Sequence, residues 1–423
     1  MKSTYTQLES IHHDLSRLLR DGIVPFWMER GIDTQYGGYL TSFDENGRPA
    51  GDTQKLIVTQ TRMIWGLSAF GGYYKDEHML SAATQGVDFF IRHFWDDTHG
   101  GWYWKTARNG DVIDHGKLVY GQSFAIYALA EHYRNTGDTR SLRYAQQTFG
   151  LLQTYCADTL HGGYYENLER DWSPAPGGYA AGDRKSLDVH MHLMEAFTLL
   201  ALCTKKEIHR RKLDEVIALI LQHMISPVSG CGLNQFDPRF HPLTPININR
   251  TWNAERQAGQ TLHSQVDSTS YGHNLELAWL FNKAKDVLGD TSGCFDAVNR
   301  KLIDHALQYG FDAALGGVYR DGPHSGPALV TDKEFWQNAE ALVGFLDGYQ
   351  QFGDERYVQA FIRQWSFVNT HMIHPELKEF YQLVDKTGNV MVGDLGNPWK
   401  ACYHSGRAIL ECMMRIGQIL EKQ

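Results

Sequence analysis

The chain of 423 residues is predicted to be all-α: an (α/α)6 barrel of six helical hairpins with short β-hairpin loops on one face. Three observations predict it. A short glycine-containing phrase recurs along the chain, the segments between recurrences each read as two helices, and strand-like stretches are confined to the aromatic residues beside the glycines. The phrase begins as DTQYGGYL at Asp33, DTHGGWYW at Asp97, DTLHGGYYE at Asp158 and DAALGGVYRD at Asp312, with weaker echoes at SPVSGCGLN near Ser226 and HPELKEFYQ near His374. Most recurrences lie about 62 to 68 residues apart, and a period of this size seen six times marks a closed or stacked array of supersecondary units.

Within a unit, VYGQSFAIYALAEHYRNTGD (119–138) carries apolar residues at helical spacing and stops at Gly137-Asp138. SLRYAQQTFGLLQTYC follows as the second helix. The paired glycines then permit a tight turn, and the aromatics after them read as a hairpin. SLDVHMHLMEAFTLLALCT, NLELAWLFNKAKDVLG and NAEALVGFLDGYQQFGD repeat the first kind of helix. An open helical solenoid is the alternative, but only a barrel leaves a pocket at its mouth. One interval is longer than the rest. Residues 232–269 are polar and aperiodic and run straight into SYGHNLELAW, so they are expected to form a lid-like loop within a single domain spanning 1–423.

Composition narrows the function. The net charge is -9, with acidic and basic residues interspersed and no basic run, which argues against nucleic acid. No apolar stretch has membrane-spanning length, and the N-terminus lacks a signal-peptide pattern. The cysteines at 156, 203, 231, 294, 402 and 412 form no C-x-x-C pair, so free thiols in a reducing cytoplasm are expected. The sequence has no P-loop, no dinucleotide-binding glycine motif and no H-E-x-x-H. The 21 Tyr, 20 Phe and 11 Trp suit stacking on sugar CH faces as well as a large aromatic core.

Unusual polar groups lie near the starts of the first-type helices. They are Arg62; Tyr120 and Gln122; Asp188, His190, His192 and Glu195; His273 and Glu276; Trp336, Asn338 and Glu340; and Trp399, Lys400, Tyr403, His404 and Arg407. In a barrel these starts ring one cavity. A lone buried histidine is more often a packed core residue than a catalyst. His192, His273 and His404, however, are read as matching positions in three units, which favours function. His273 and Glu276 are neighbours on one helical face, whereas His190 and His192, two residues apart, point away from each other, which speaks against a metal site.

At these motifs the chain resembles the acylglucosamine 2-epimerase superfamily, nearest its cellobiose and mannose 2-epimerases. The blocks that carry the resemblance are VYGQSFAIYALAEHYRNTGD, HMHLMEAF, SYGHNLELAW, AEALVGFLDGYQ and WKACYHSGRAILE, spread over nearly the whole chain. The resemblance implies a cofactor-independent change at C2 of an aldose, with His273 and His404 catalytic, His192, Arg62 and Tyr120 in the site, and Glu276 paired with His273. Removing and returning a C2 proton on opposite faces of an enediolate suits two imidazoles, and Arg62 and His192 are natural donors to the developing charge. The scheme needs no metal and no cofactor. The expected enzyme is a cytoplasmic monomer or homodimer acting on a small-molecule sugar.

The chain departs from cellobiose epimerases at several points. It has Phe335-Trp336 where they carry two tryptophans, Gln60-Thr61-Arg62 where they carry Asn-Ala-Arg, Asp188 for an asparagine, and a longer 232–269 segment. A missing tryptophan platform and a lid both disfavour a second sugar ring. D-mannose/D-glucose interconversion is therefore expected, with a cellobiose 2-epimerase or a mannose-to-fructose isomerase as alternatives. Asp188, Trp336 and Trp399 are expected to bind substrate, and Trp252 and Glu255 to close over it from the lid. A glycoside hydrolase using Glu276 and Asp188 and a non-catalytic sugar-binding protein are the more distant rivals.

Overall fold

The computed structural model describes residues 2–51, 53–175, 184–243 and 268–422. Its helices, in chain order, are α1 (Lys2–Leu18), α2 (Val24–Arg30), α3 (Ile57–Tyr74), α4 (Glu77–Phe94), α5 (Val119–Thr136), α6 (Thr139–Leu151), α7 (Leu187–Thr204), α8 (Glu207–His223), α9 (Tyr271–Leu288), α10 (Asp296–His305), α11 (Phe335–Phe352), α12 (Glu355–Phe367) and α13 (Cys402–Glu421). Helices α3, α5, α7, α9, α11 and α13 pack each on the next, and α13 returns to α3, so the ring is closed rather than open. Helices α4, α6, α8, α10 and α12 pack outside their own inner partners. The sixth outer position, against α13, is filled from the other end of the chain by α1.

Composition sorts the two layers. The inner helices are buried nearly all round, as Phe335–Gly348 of α11 shows, whereas the outer helices alternate buried and exposed faces. Five of the six inner helices, all but α13, end on a left-handed residue, a glycine at Gly137, Gly289 and Gly353 and a lysine at Lys75 and Lys205. An aspartate then caps the following outer helix where Asp76, Asp138 and Asp354 accept its first free N–H groups. Strands are two or three residues long and pair as small antiparallel hairpins beside the helix starts. Among the described residues no helix is long and apolar enough to cross a membrane.

The repeated phrase has a structural job. Its aspartate accepts backbone N–H groups of its own turn and ion-pairs with a lysine that stands just before the next inner helix. The pairs are Asp33–Lys55 at 3.0 Å, Asp96–Lys117 at 3.1 Å, Asp158–Lys185 at 2.8 Å and Asp312–Lys333 at 3.0 Å. Asp96, rather than the neighbouring Asp97 at which the phrase was read, is the paired residue. In the fourth unit Ser226 and Thr269 stand where the aspartate and lysine belong, so both charges go together and neither is left buried alone.

Five residues after the lysine position, five of the six units carry a polar side chain that clamps the hairpin backbone; in the sixth, Ser405 bonds the Glu379 side chain instead. Gln60 bonds both the N–H and the C=O of Tyr39 at 2.9 Å, and Gln122 does the same to Trp102 at 3.0 and 2.7 Å. Asn338 bonds Val318 at 2.7 and 3.1 Å, and Asn274 accepts from Gly232 N–H at 2.8 Å. His190 takes this role in the third unit. Its Nε2 accepts Tyr164 N–H at 3.1 Å and its Nδ1 lies 2.8 Å from Ser186 O, so it is a satisfied core histidine whose pKa burial lowers to about 4.

Candidate active site

The starts of the inner helices surround a cavity of about 430 Å³, its open mouth included. His192, His273 and His404 all line it, with Arg62, Tyr120, Glu276, Trp336 and Trp399. The three histidines do not share one level, however. His273 and His404 lie four residues after the lysine position of their units, whereas His192 lies seven after, one turn deeper. The deeper level is a ring of six: Arg62, Phe124, His192, Glu276, Glu340 and Arg407, one from each inner helix.

Arg407 is fully buried and organises that ring. It donates to Glu276 at 2.5 Å, to Glu340 at 2.6 Å, and to Glu195 and Tyr403, while its guanidinium stacks 4.1 Å from the Tyr403 ring centre. Glu276, Glu340 and His404 present atoms close enough to hold a cation, and the Arg407 guanidinium is the cation that both carboxylates hold. One guanidinium cannot neutralise three buried carboxylates equally. Burial raises the Glu195 carboxyl, but Arg407 and His192 outweigh it and hold the group at about 2. Glu340 goes the other way, pushed up to about 8 by burial and by Glu276 and Glu195, against the pull of Arg407.

The histidines sit in contrasting fields. His404 Nδ1 lies 2.7 Å from Glu340 Oε1. Burial, followed by Arg62, Arg407, His192 and His273, drives its pKa well below the ordinary histidine value, so the imidazole rests neutral. His192 is also buried, which opposes charge, but Glu195 at 3.0 Å, Glu276 and Asp188 outweigh that and raise its pKa. His273 Nε2 lies 3.5 Å from Asp188 Oδ1, the same oxygen that stands 3.5 Å from His192 Nε2. The Trp336 ring stands 4.6 Å from the His273 ring and 5.7 Å from that of His404.

The pairing expected between His273 and Glu276 is not what the structure shows. Glu276 turns its Oε1 to Arg407, and the carboxylate beside His273 comes from Asp188 on the neighbouring helix α7. Adjacency on one helix face lost to a guanidinium across the barrel axis. Arg62 donates to Tyr120 Oη at 3.0 Å and to the carbonyl of Trp399. Trp252 and Glu255 lie outside the described residues, as does most of the 232–269 segment. Sequence reasoning missed Glu334, Phe335, Gln382 and Asn397 as cavity lining. Gln382 closes the weak HPELKEFYQ echo of the repeated phrase, in which no site residue was sought, and Asn397 falls in a loop outside the repeat. Glu340 and Arg407 carried a usable signal, their common register with His192.

Several residues that line the cavity carry a buried atom without a hydrogen-bond partner among the described residues: Arg62 Nε, Trp399 Nε1 and Glu276 Oε2. Each such atom costs about 1–3 kcal/mol unless something satisfies it, which is what a site built to receive a polar ligand looks like.

The chain matches the family model described as N-acylglucosamine 2-epimerase (GlcNAc 2-epimerase) over residues 38–408. It is 27% identical over 412 residues to a cellobiose 2-epimerase of Bacteroides fragilis, covering 96% of this chain and 99% of that one. It is 22% identical to a D-mannose isomerase of Marinomonas mediterranea, covering 92% and 94%. The solved cellobiose 2-epimerase of Spirochaeta thermophila superimposes with a TM-score of 0.85 at 29% identity, covering 98% of each chain. The barrel, the ring of polar residues at its mouth and these likenesses lead to one conclusion: the chain belongs to the N-acylglucosamine 2-epimerase family and is an isomerase-class enzyme acting on carbohydrates.

Proposed function

We propose that this enzyme is a sugar 2-epimerase that inverts C2 of the reducing-end glucose unit of a β-1,4-linked disaccharide such as cellobiose. The observation that carries the reaction is the pair His273 and His404. The two line one cavity, with their rings 4.6 and 5.7 Å from the Trp336 ring. The disaccharide is favoured over the D-mannose/D-glucose pair expected from Phe335 and the long 232–269 segment, because relatives similar over nearly their whole length are cellobiose 2-epimerases.

The open-chain aldehyde places its C2 hydrogen between the two imidazoles. Neutral His404 removes the proton and leaves an enediolate. His273, whose positive charge Asp188 supports, returns a proton to the other face; in the reverse direction the roles exchange. Charge growing on O1 and O2 is met by donors already aimed at the cavity. Arg62 offers its unpartnered Nε, and Tyr120 accepts from Arg62 and so keeps its own hydroxyl hydrogen for the sugar. Burial raises the Tyr120 pKa, which keeps that hydrogen in place. Trp399 adds an indole N–H, and Glu276 Oε2 accepts from a sugar hydroxyl.

Incubation with cellobiose and with mannose in D2O tests the reading. The expected product is the C2 epimer of the disaccharide with deuterium at C2, formed faster than any product of mannose. A ketose as main product would mean that the proton returns to C1, as in a D-mannose isomerase. Turnover of mannose alone would restore the monosaccharide reading.

A further inference from the structure

We propose that Asn397 is a positioning residue for the sugar reaction, setting the direction of the Arg62 guanidinium through the main chain of Trp399. Its role in turnover rests on the C2 chemistry proposed above; its role in holding Arg62 does not.

The turn Asn397-Pro398-Trp399-Lys400 ends two residues before α13 begins. Pro398 has no N–H, so the first free donors of the turn are those of Trp399 and Lys400. Asn397 Oδ1 accepts both, each at 2.9 Å, and its backbone exchanges bonds with Lys400 at 3.2 and 3.1 Å. The amide nitrogen is used as well, donating to Gln382 Oε1 at 3.0 Å, and Gln382 in turn donates to Glu334 Oε1 at 3.3 Å. Glu334 immediately precedes α11, whose second residue is the Trp336 whose ring stands near those of both His273 and His404. One row of side chains therefore ties the start of α11 to the turn before α13.

That turn presents the Trp399 carbonyl, which accepts from Arg62 Nη1. Arg62 Nη2 is held by Tyr120 at 3.0 Å, and Nε, without a partner, is left for the ligand. The guanidinium is thus fixed at two corners, and one of those corners depends on the Asn397 turn. A smaller residue at 397 releases the Trp399 N–H and leaves the Lys400 N–H only its bond to the Asn397 carbonyl, which lets the Trp399 carbonyl swing and leaves Arg62 anchored at Tyr120 alone. The loss falls on the step in which negative charge develops, because misplacing a charge-stabilising donor by about 1 Å costs about 100-fold in rate.

The test compares Asn397→Ala with Asn397→Asp, which keeps the acceptor for both turn N–H groups. Asn397→Ala is expected to lower kcat about 10- to 100-fold with KM within about threefold, and Asn397→Asp to recover most of kcat. A merely structural role would lower Tm and leave this split absent. Independently of any substrate, ¹⁵N-NMR of the arginine side chains, with Arg62→Lys as the assignment control, is expected to show the Arg62 Nη signals exchange-broadened in Asn397→Ala and restored in Asn397→Asp. If Asn397→Ala does not fold, Asn397→Ser, which retains one acceptor, carries both measurements. An Ala variant with unchanged Arg62 signals, or an Asp variant as impaired as Ala, overturns the proposal. A wild-type enzyme that exchanges no C2 proton in any aldose sinks the epimerase reading, while the NMR measurement still decides the role of Asn397.

Discussion

Two rows of buried polar residues run around this barrel, and they behave differently. Five residues after the lysine position, Gln60, Gln122, His190, Asn274 and Asn338 do the same work in five of the six units, completing the hydrogen bonds of a hairpin backbone. Seven residues after it, Arg62, Phe124, His192, Glu276, Glu340 and Arg407 mix cations, carboxylates, an imidazole and a phenyl ring, and most join one network centred on Arg407. Two residues along a helix turn a side chain by about 200°, so one row faces the hairpins and the other the axis. Sameness of contact marks the scaffold, while divergence at matched positions marks the site. His190 and His192 make the point within three residues: one is a backbone clamp with its pKa lowered to about 4, the other a cavity-floor histidine with its pKa raised.

The sharpest way to break this division is at the cavity level just above the divergent row. His273→Asn and His404→Asn are each expected to lower epimerisation by about 1000-fold or more, at the upper end of acid–base contributions, with Tm close to wild type. Initial rates and calorimetry check it, and near-full activity in either variant would end the two-base scheme. Next is Arg407→Met, which strands Glu195, Glu276 and Glu340. A loss of about 3–5 kcal/mol is expected, together with inactivity in whatever folds, read from urea unfolding.

The scaffold rows should respond in stability alone. Lys333→Thr leaves Asp312 buried without its partner and is expected to cost about 3–5 kcal/mol, whereas adding Asp312→Ser should return part of that loss, as the fourth unit already does with Ser226 and Thr269. Gln122→Ala, which opens two backbone groups of Trp102, is expected to cost about 1–3 kcal/mol with kcat of the folded enzyme within about twofold. A loss of activity greater than the loss of folded protein would blur the comparison. The smallest effect is in pH. The pKa of His192 is raised in the folded state, so the stability it contributes is fully present below its ordinary value near 6.5 and is lost as pH rises through the raised one. His192→Asn should flatten that part of the stability profile, measured as unfolding midpoint against pH.

Much of the fold was legible because repetition does not depend on contacts: the helix pairs, and the paired glycines at four of the six phrases, show in the period of the chain, whereas the closing of the sixth pair by α1 does not. The gathering of Arg62, Tyr120, His192, His273, Trp336, Trp399 and His404 at one cavity followed from the same register. Asp188, expected to bind substrate, stands beside the imidazoles of His192 and His273 and is not among the residues that line the cavity. What could not be read was who pairs with whom. Glu276 stands one helical turn from His273, yet an arginine from another helix claims it. Asn397 enters from a loop outside the repeat, where proximity in three dimensions is the only rule.

The sequence by itself determined the array: how many units, which helices lie inside, where the chain turns and which starts carry chemistry. These follow from local patterns of burial, capping and glycine placement, each settled within about one turn or hairpin. Only the tertiary structure decided the electrostatics. One buried guanidinium among three carboxylates must favour some over others, and that division, which holds Glu195 at about 2, lifts Glu340 to about 8 and leaves His404 neutral, depends on distances across the barrel axis that no spacing along the chain encodes.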